Sequence, residues 1–231
     1  MLEKIIYPEC YCCKKVVKRI KFGLCEECLG SLTKVEFESR CKYCSFPLPS
    51  GSNICGRCFK EKREFDGGFF LFPYNDCGKA LIHSIKFKDK IEYLKILESF
   101  NLQIHEFLQD KEIEVLTYVP SSIYHYLKRG YSVPREIGKI LSSSLGIPLK
   151  KLVFTRKPFK KLLSSTKTAS ERRKIVKSFF RVRSKHQYKS LLLVDDVFTT
   201  GATVNRISKL LKREEIAEKV YFLTLAMVID R

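Results

Sequence analysis

The residues best suited to chemistry lie in one run, Leu191-Leu-Leu-Val-Asp-Asp-Val-Phe-Thr-Thr-Gly-Ala-Thr203, where four apolar residues give way to two carboxylates and then to a hydroxyl-rich turn. Asp195 and Asp196 are acceptors for the hydroxyls of a sugar, or hard oxygen ligands for a divalent cation. Thr199, Thr200, Gly201, Ala202 and Thr203 offer hydroxyls and bare backbone N–H groups where a helix begins, a place that favours a phosphate dianion. The acids repel the phosphate that the turn attracts, so a sugar attached to that phosphate is the ligand that suits both. A second constellation is thiol-based. Eight of the ten cysteines form the pairs Cys10/Cys13, Cys25/Cys28, Cys41/Cys44 and Cys55/Cys58. Each pair can place two sulfurs on one Zn²⁺ at about 2.3 Å, and two pairs complete a tetrahedron, so eight ligands make two closed structural sites.

These groups need particular elements beneath them. Leu191 to Val194 read as a strand buried on both faces, as in a parallel sheet, and Ala202 to Lys212 as a helix. The acids then sit at the carboxyl end of a central strand, where open α/β sheets bind ligands. The spacing predicts further strands over 67–74, 113–120 and 219–228. A helix capped by Asn75 or Asp76 carries Ala80, Leu81, Ile85 and Phe87 on its apolar side. Another carries Ile91, Leu94, Ile96, Leu97 and Leu102, and a third runs from Ser132 to Leu145, closed by Gly146 and Pro148. Past the 113–120 strand, Lys128-Arg-Gly130 forms a basic turn able to reach a pyrophosphate at the same rim. A surface helix end with a glycine cap is its plainer reading, and Lys86 and Lys88 fit either a solvated edge or the site. Strand-like segments at 152–155 and 178–182 bracket a polar loop that turns helical near Ser170. Phe59 to Asp66 reads as a solvated linker.

The zinc pairs match most simply as neighbours, Cys10/Cys13 with Cys25/Cys28 and Cys41/Cys44 with Cys55/Cys58, in two consecutive ribbons; an interleaved cross-brace is the alternative. A thioredoxin-like redox role would place one pair at the start of a helix, and four pairs in a Gly- and Pro-containing stretch without strands do not fit it. Cys12 is a spare in the first knuckle and Cys77 a small buried residue. So few large apolar residues occur in the first sixty that metal must supply the folding free energy there.

The chain has 231 residues, enough for one large domain and one small one, with no export signal and no apolar run long enough to span a membrane. A cytoplasmic, metal-binding chain without membrane insertion is expected, and metal, not disulfides, accounts for the cysteines. The formal charge is +19, and residues 150–189 carry fifteen Lys and Arg against the single acid Glu171. A polyanionic partner follows from that excess.

The 191–203 run resembles the phosphoribosyl pyrophosphate (PRPP) signature of type I phosphoribosyltransferases. With the four cysteine pairs, Phe72-Pro-Tyr74, Ile85-Lys-Phe87, Val119-Pro120, Arg129-Gly130 and Glu171-Arg-Arg173, the chain resembles the ComF family over nearly its whole length. The resemblance implies a double zinc ribbon over 1–62 and, over 66–231, a type I phosphoribosyltransferase-like domain with a parallel sheet flanked by helices. It implies that Asp195 and Asp196 hold the ribose hydroxyls, the 199–203 loop the 5′-phosphate, and Mg²⁺ with Arg129 the pyrophosphate, under a lid from Lys157 to Arg173. It also implies a part in natural competence, with single-stranded DNA and other competence proteins as partners. An active phosphoribosyltransferase of nucleobase salvage and a non-catalytic PRPP-sensing DNA-binding protein are the alternatives. Tyr131-Ser132 stands where the family has Phe-Asn, Ser164 and Lys167-Thr168 replace a Gln and Leu-Ser, and Ile175 an Asn. These departures bear on reaction and acceptor.

Overall fold

The computed structural model describes residues 7–33, 39–121, 126–127, 129–155 and 179–229. The expected lid, with Ser164, Lys167, Thr168, Glu171 and Ile175, lies outside the described residues. In chain order the elements are α1 (Glu26–Thr33), β1 (Ser39–Arg40), β2 (Pro47–Leu48), α2 (Gly56–Lys60), β3 (Gly67–Pro73), α3 (Asp76–Phe87) and a 3₁₀ helix (Ile91–Phe100). They continue with α4 (Asn101–Leu108), β4 (Val115–Tyr118), α5 (Val133–Leu145), β5 (Val153–Thr155), β6 (Phe180–Val182), β7 (Tyr188–Phe198), α6 (Ala202–Arg213) and β8 (Ala217–Met227).

Four strands form a parallel sheet in the order β3-β8-β7-β4, and β5 and β6 make a separate antiparallel hairpin. The expected α/β architecture, a parallel sheet flanked by helices and preceded by a cysteine-rich segment, is therefore what the chain adopts. Residues 191–194 are fully buried, as an interior parallel strand requires. Successive side chains alternate between two cores. Leu192 and Val194 pack with α3, the 3₁₀ helix and α5, while Leu191 and Leu193 pack toward α6.

Each ribbon joins one of those cores. Cys10, Leu24, Cys25, Cys28 and Leu32 share the cluster of Leu81, Ile85 and Val133; Cys41, Cys44, Cys55 and Cys58 share that of Phe65, Val204 and Phe222. The expected solvated linker does not hold at its end. Phe65 is 1% exposed, edge-on to Phe222 and Phe198, and Glu64 and Asp66 pair with Lys209 and Lys212 of α6. One aromatic side chain with a core to enter outweighs the charges around it.

Asn75 caps α3 by accepting from the Gly78 N–H, and Gly146 ends α5 with φ of 69°. Phe87 and Leu102, expected on apolar helix faces, are 53% and 69% exposed. For Leu102 the cause is winding: a 3₁₀ segment of three residues per turn precedes α4, so a 3.6-residue phase carried through it points the wrong way. No helix among the described residues is long and apolar enough to cross a membrane.

Gly68 sits in β3 directly under the fully buried Phe222, and a Cβ there would fall inside that ring. Gly68→Ala should lower stability by about 1–3 kcal/mol, read from thermal or denaturant unfolding. An unchanged midpoint would mean that the Phe222 cluster is loosely packed.

Candidate ribose-phosphate site and cysteine clusters

Adjacent residues on a strand point to opposite faces, and this separates the two acids. Asp196 follows the parity of Leu192 and Val194 toward α3, where Lys86 Nζ meets its carboxylate at 2.7 Å in a largely buried pair. Asp195 follows Leu191 and Leu193. It lies beside Thr224, its register partner on β8, whose buried hydroxyl has no hydrogen-bond partner among the described residues. The Asp196 N–H donates to Asp195 Oδ1 at 2.9 Å. Burial, reinforced by the neighbouring Asp196 charge, pushes the Asp195 carboxyl up to about 8, against the opposing pull of that backbone N–H and of Lys86. In the free protein this acid therefore holds a proton at neutral pH.

The 199–203 loop follows directly. Gly201 has φ of 78°, and a Cβ there would strike the Phe198 ring, so both backbone and space demand glycine. No side chain caps α6; the Thr200 hydroxyl accepts from the Ala202 N–H at 3.3 Å, and Thr199, Thr200, Ala202 and Thr203 are exposed. The loop is also held from outside. Arg57, on α2 of the second ribbon, donates to the Thr199 carbonyl at 3.3 Å, and the Glu64 N–H donates to Asn205 Oδ1 at 2.7 Å.

Arg129 arrives from the β4–α5 connection. Its guanidinium lies 4.7 Å from the Phe87 ring centre, and its Nε is buried without a partner among the described residues. Tyr131 donates its hydroxyl to the Ile85 carbonyl at 2.5 Å. Residues 85–87 thus anchor both sides of the site: Lys86 to Asp196, and the flanking residues to Arg129 and Tyr131. Among the described residues, Asp195 and Asp196 are adjacent on β7, the 199–203 loop follows them, and Arg129 reaches them through residues 85–87; Lys128 lies outside the described residues. Lys86 resolves toward the site, and Tyr131 gains a positioning contact. The contacts of Arg57 and Thr224 have no local sequence signal.

The cysteines form two groups of four, Cys10/Cys13/Cys25/Cys28 and Cys41/Cys44/Cys55/Cys58, with ligand atoms in each within 4.8 Å of one another. The pairing is of neighbours, without cross-bracing. Cys13 and Cys25 sulfurs are 3.9 Å apart and Cys44 and Cys55 sulfurs 3.6 Å, close to the ~3.8 Å edge of a tetrahedron with 2.3 Å metal–sulfur bonds. The first pair of each group makes the same turn. Lys14 N–H bonds the Cys10 carbonyl and Ser45 N–H the Cys41 carbonyl, both donors at positive φ. Cys58 is pulled below the ordinary thiol range, first by its hydrogen bond with Cys44 and, against burial, by Arg63. This is a donor set chemically fit for Zn²⁺.

Three expectations need correction. Cys25/Cys28 and Cys55/Cys58 do open helices, α1 and α2, and the stretch is not strandless, since β1 and β2 form a hairpin. The argument for metal therefore rests on the clustering of four sulfurs. Cys12 and Cys77 are joined by a disulfide, so neither is a spare thiol; the first knuckle packs on the start of α3 and brings together cysteines 65 residues apart.

No protein-family model matches the chain. Competence protein F of Haemophilus influenzae is 26% identical, over 90% of this chain and 93% of that protein. Competence protein ComFC of Streptococcus pneumoniae is 28% identical over 88% and 81%, and the DNA utilization protein YhgH of Salmonella typhimurium 26% over 90% and 92%. Among solved structures, adenine phosphoribosyltransferase from Leishmania donovani aligns with 63% of this chain and 68% of its own at 14% identity, with a TM-score of 0.37.

Lys86 is the cation set against the acid pair. Lys86→Met should make Asp195 hold its proton to higher pH, measured by carbon NMR of labelled aspartate carboxyls. An unshifted titration would show that Lys86 does not tune the pair.

Proposed function

Since the chain belongs to the ComF family, we propose that it binds PRPP together with Mg²⁺ and takes part in natural competence through the handling of incoming single-stranded DNA. One observation carries the ligand assignment: two carboxylates lie near the carboxyl end of the central strand β7, which continues to Phe198, and an uncapped, hydroxyl-rich turn at the start of α6 follows within five residues. The turn receives the 5′-phosphate on free N–H groups and hydroxyls. Asp195 and Asp196 accept hydrogen bonds from the ribose hydroxyls. Arg129, with Lys86 close by, faces the pyrophosphate. Mg²⁺ arrives with the pyrophosphate oxygens and offsets their charge; among the described residues no cluster of three carboxylate or imidazole ligands exists to hold it alone.

We read the site as one for phosphoribosyl transfer rather than simple retention, with Arg129 and Lys86 offsetting the charge that builds up on departing pyrophosphate. The bond from C1 to the pyrophosphate oxygen breaks, an acceptor nitrogen bonds C1, and the nitrogen's proton leaves to solvent. No covalent nucleophile is required. The cysteine groups hold two structural Zn²⁺ ions, and residues 1–62 and 66–231 form the metal and ligand modules. The charge excess of residues 150–189 supplies the affinity for nucleic acid.

Asp195→Asn with Asp196→Asn should weaken PRPP binding at least tenfold by calorimetry, with the fold kept. In the wild type, affinity should rise as pH passes through about 8, because the deprotonated Asp195 accepts more hydrogen bonds. Tight, pH-independent binding by the double variant would overturn the assignment. Native mass spectrometry should find two zinc ions per chain, and one after Cys55→Ser; metal-free folded protein would refute the zinc reading.

A further inference from the structure

Beyond the acid pair lies a cavity of about 440 Å³, within the roughly 300–1,000 Å³ typical of small-ligand sites. It opens on the far side of β4, the edge strand, and is lined by Tyr118 and Ser121 at that strand's carboxyl end, Ser132 and Arg135 at the start of α5, and Lys151, Phe154 and Arg181 around the β5–β6 hairpin. Tyr126 completes the rim.

Its chemistry is one-sided. Among the described residues three cations line it, and no carboxylate does. The nearest acid on the same helix, Glu136, is engaged by Lys139 at 2.9 Å. Arg135, Lys151 and Arg181 form no ion pair among the described residues; Lys151 and Arg181 instead sit 5.1 and 5.7 Å from the centre of the Phe154 ring. Ser132, at the N-cap of α5, makes no capping bond; its hydroxyl pairs with Ser121 at 2.9 Å. In that helix's first turn Pro134 has no N–H and the Glu136 N–H donates to the Ser132 carbonyl, so the N–H groups without a side-chain cap are those of Val133 and Arg135. Cations converging on an anion, beside Phe154 and the half-exposed Tyr126, match a ligand that is part phosphate and part flat aromatic ring.

We propose that this cavity is a second nucleotide site, which takes the base of a 5′-phosphorylated nucleoside against Phe154 and Tyr126 and its phosphate among Arg135, Lys151 and Arg181. The site is distinct from the one at Asp195. Neither acid, nor any residue of the 199–203 loop, lines it. The two are nonetheless close: Tyr118 pairs in register with Val194, the residue before Asp195, so an occupant lies one strand outboard of the ribose-phosphate site. The same chemistry serves a free mononucleotide or one unit of a single strand.

Calorimetry with AMP, adenosine, ribose 5-phosphate and a single-stranded deoxythymidine decamer tests this. In the variant with Asp195→Asn and Asp196→Asn, whose ribose-phosphate site is weakened, AMP should bind at least tenfold more tightly than either fragment, because each fragment lacks one of the two parts this cavity recognises. Lys151→Gln with Arg181→Gln, and separately Arg135→Gln on the helix, should each weaken AMP at least tenfold with PRPP affinity unchanged. Asp195→Asn with Asp196→Asn should leave AMP binding intact, so a failure of the PRPP assignment is read separately. A decamer that binds and is lost in the same variants assigns the site to a strand; a decamer that binds but is indifferent to them assigns it to the free nucleotide. AMP binding equal to that of ribose 5-phosphate in the aspartate variant, or abolished there, or unaffected by the cation variants, would overturn the proposal.

Discussion

Two carboxylates on consecutive residues, at the end of a strand buried on both faces, repel each other where little water is available to screen them. The fold answers in two ways. Strand geometry sends the side chains to opposite faces, and Lys86 reaches across from the last turn of α3 to Asp196. Asp195 is left without a cation of its own and takes a proton instead. A carboxyl titrating near 8 in the folded chain and near 4 in the unfolded one binds more protons when folded, so this residue's effect on stability worsens as pH rises between those values. The site is thus maintained against the preference of the empty fold, as expected where ligand hydroxyls or a cation complete the solvation.

Residues 85–87 are the junction through which that constraint spreads. Lys86 engages β7, Phe87 carries Arg129, and the Ile85 carbonyl accepts from Tyr131 at the base of α5. The end of one helix therefore sets the spacing between the strand carrying the acids and the connection carrying the arginine. Phe87 remains half exposed because its ring serves as a platform for a guanidinium, and a packed core position would deny that cation its water-facing edge.

The sheet, the acid pair and the phosphate loop were legible in the sequence because each is a local pattern. An unbroken apolar run marks a two-faced strand, and the chemical types that follow it are fixed by what a helix start can bind. The cysteine matching was legible from loop length alone. What escaped was tertiary. A lysine near the end of an amphipathic helix looks solvated until the strand opposite it is known. Arg57 and Thr199 are 142 residues apart, and Cys12 and Cys77 are 65 apart. Phe65 was hidden among charges, and Leu102 was misplaced because the preceding 3₁₀ turns shift the helical phase. Helix-opening cysteine pairs proved no guide to redox chemistry, since the same short helix start serves a tetrahedral cluster.

The Arg57 contact changes what the cysteine-rich segment is for. Helix α2 begins immediately after Cys55, contains Cys58, and lays Arg57 against the carbonyl of Thr199. The second cluster and the phosphate loop are thus two ends of a single lever barely a helical turn long. A chain shortened to its sheet would keep every residue of the proposed sugar-phosphate site and yet lose the brace that holds the Thr199 carbonyl. Under the proposed function, metal supply and sugar-phosphate capture become a joint condition, met or missed together.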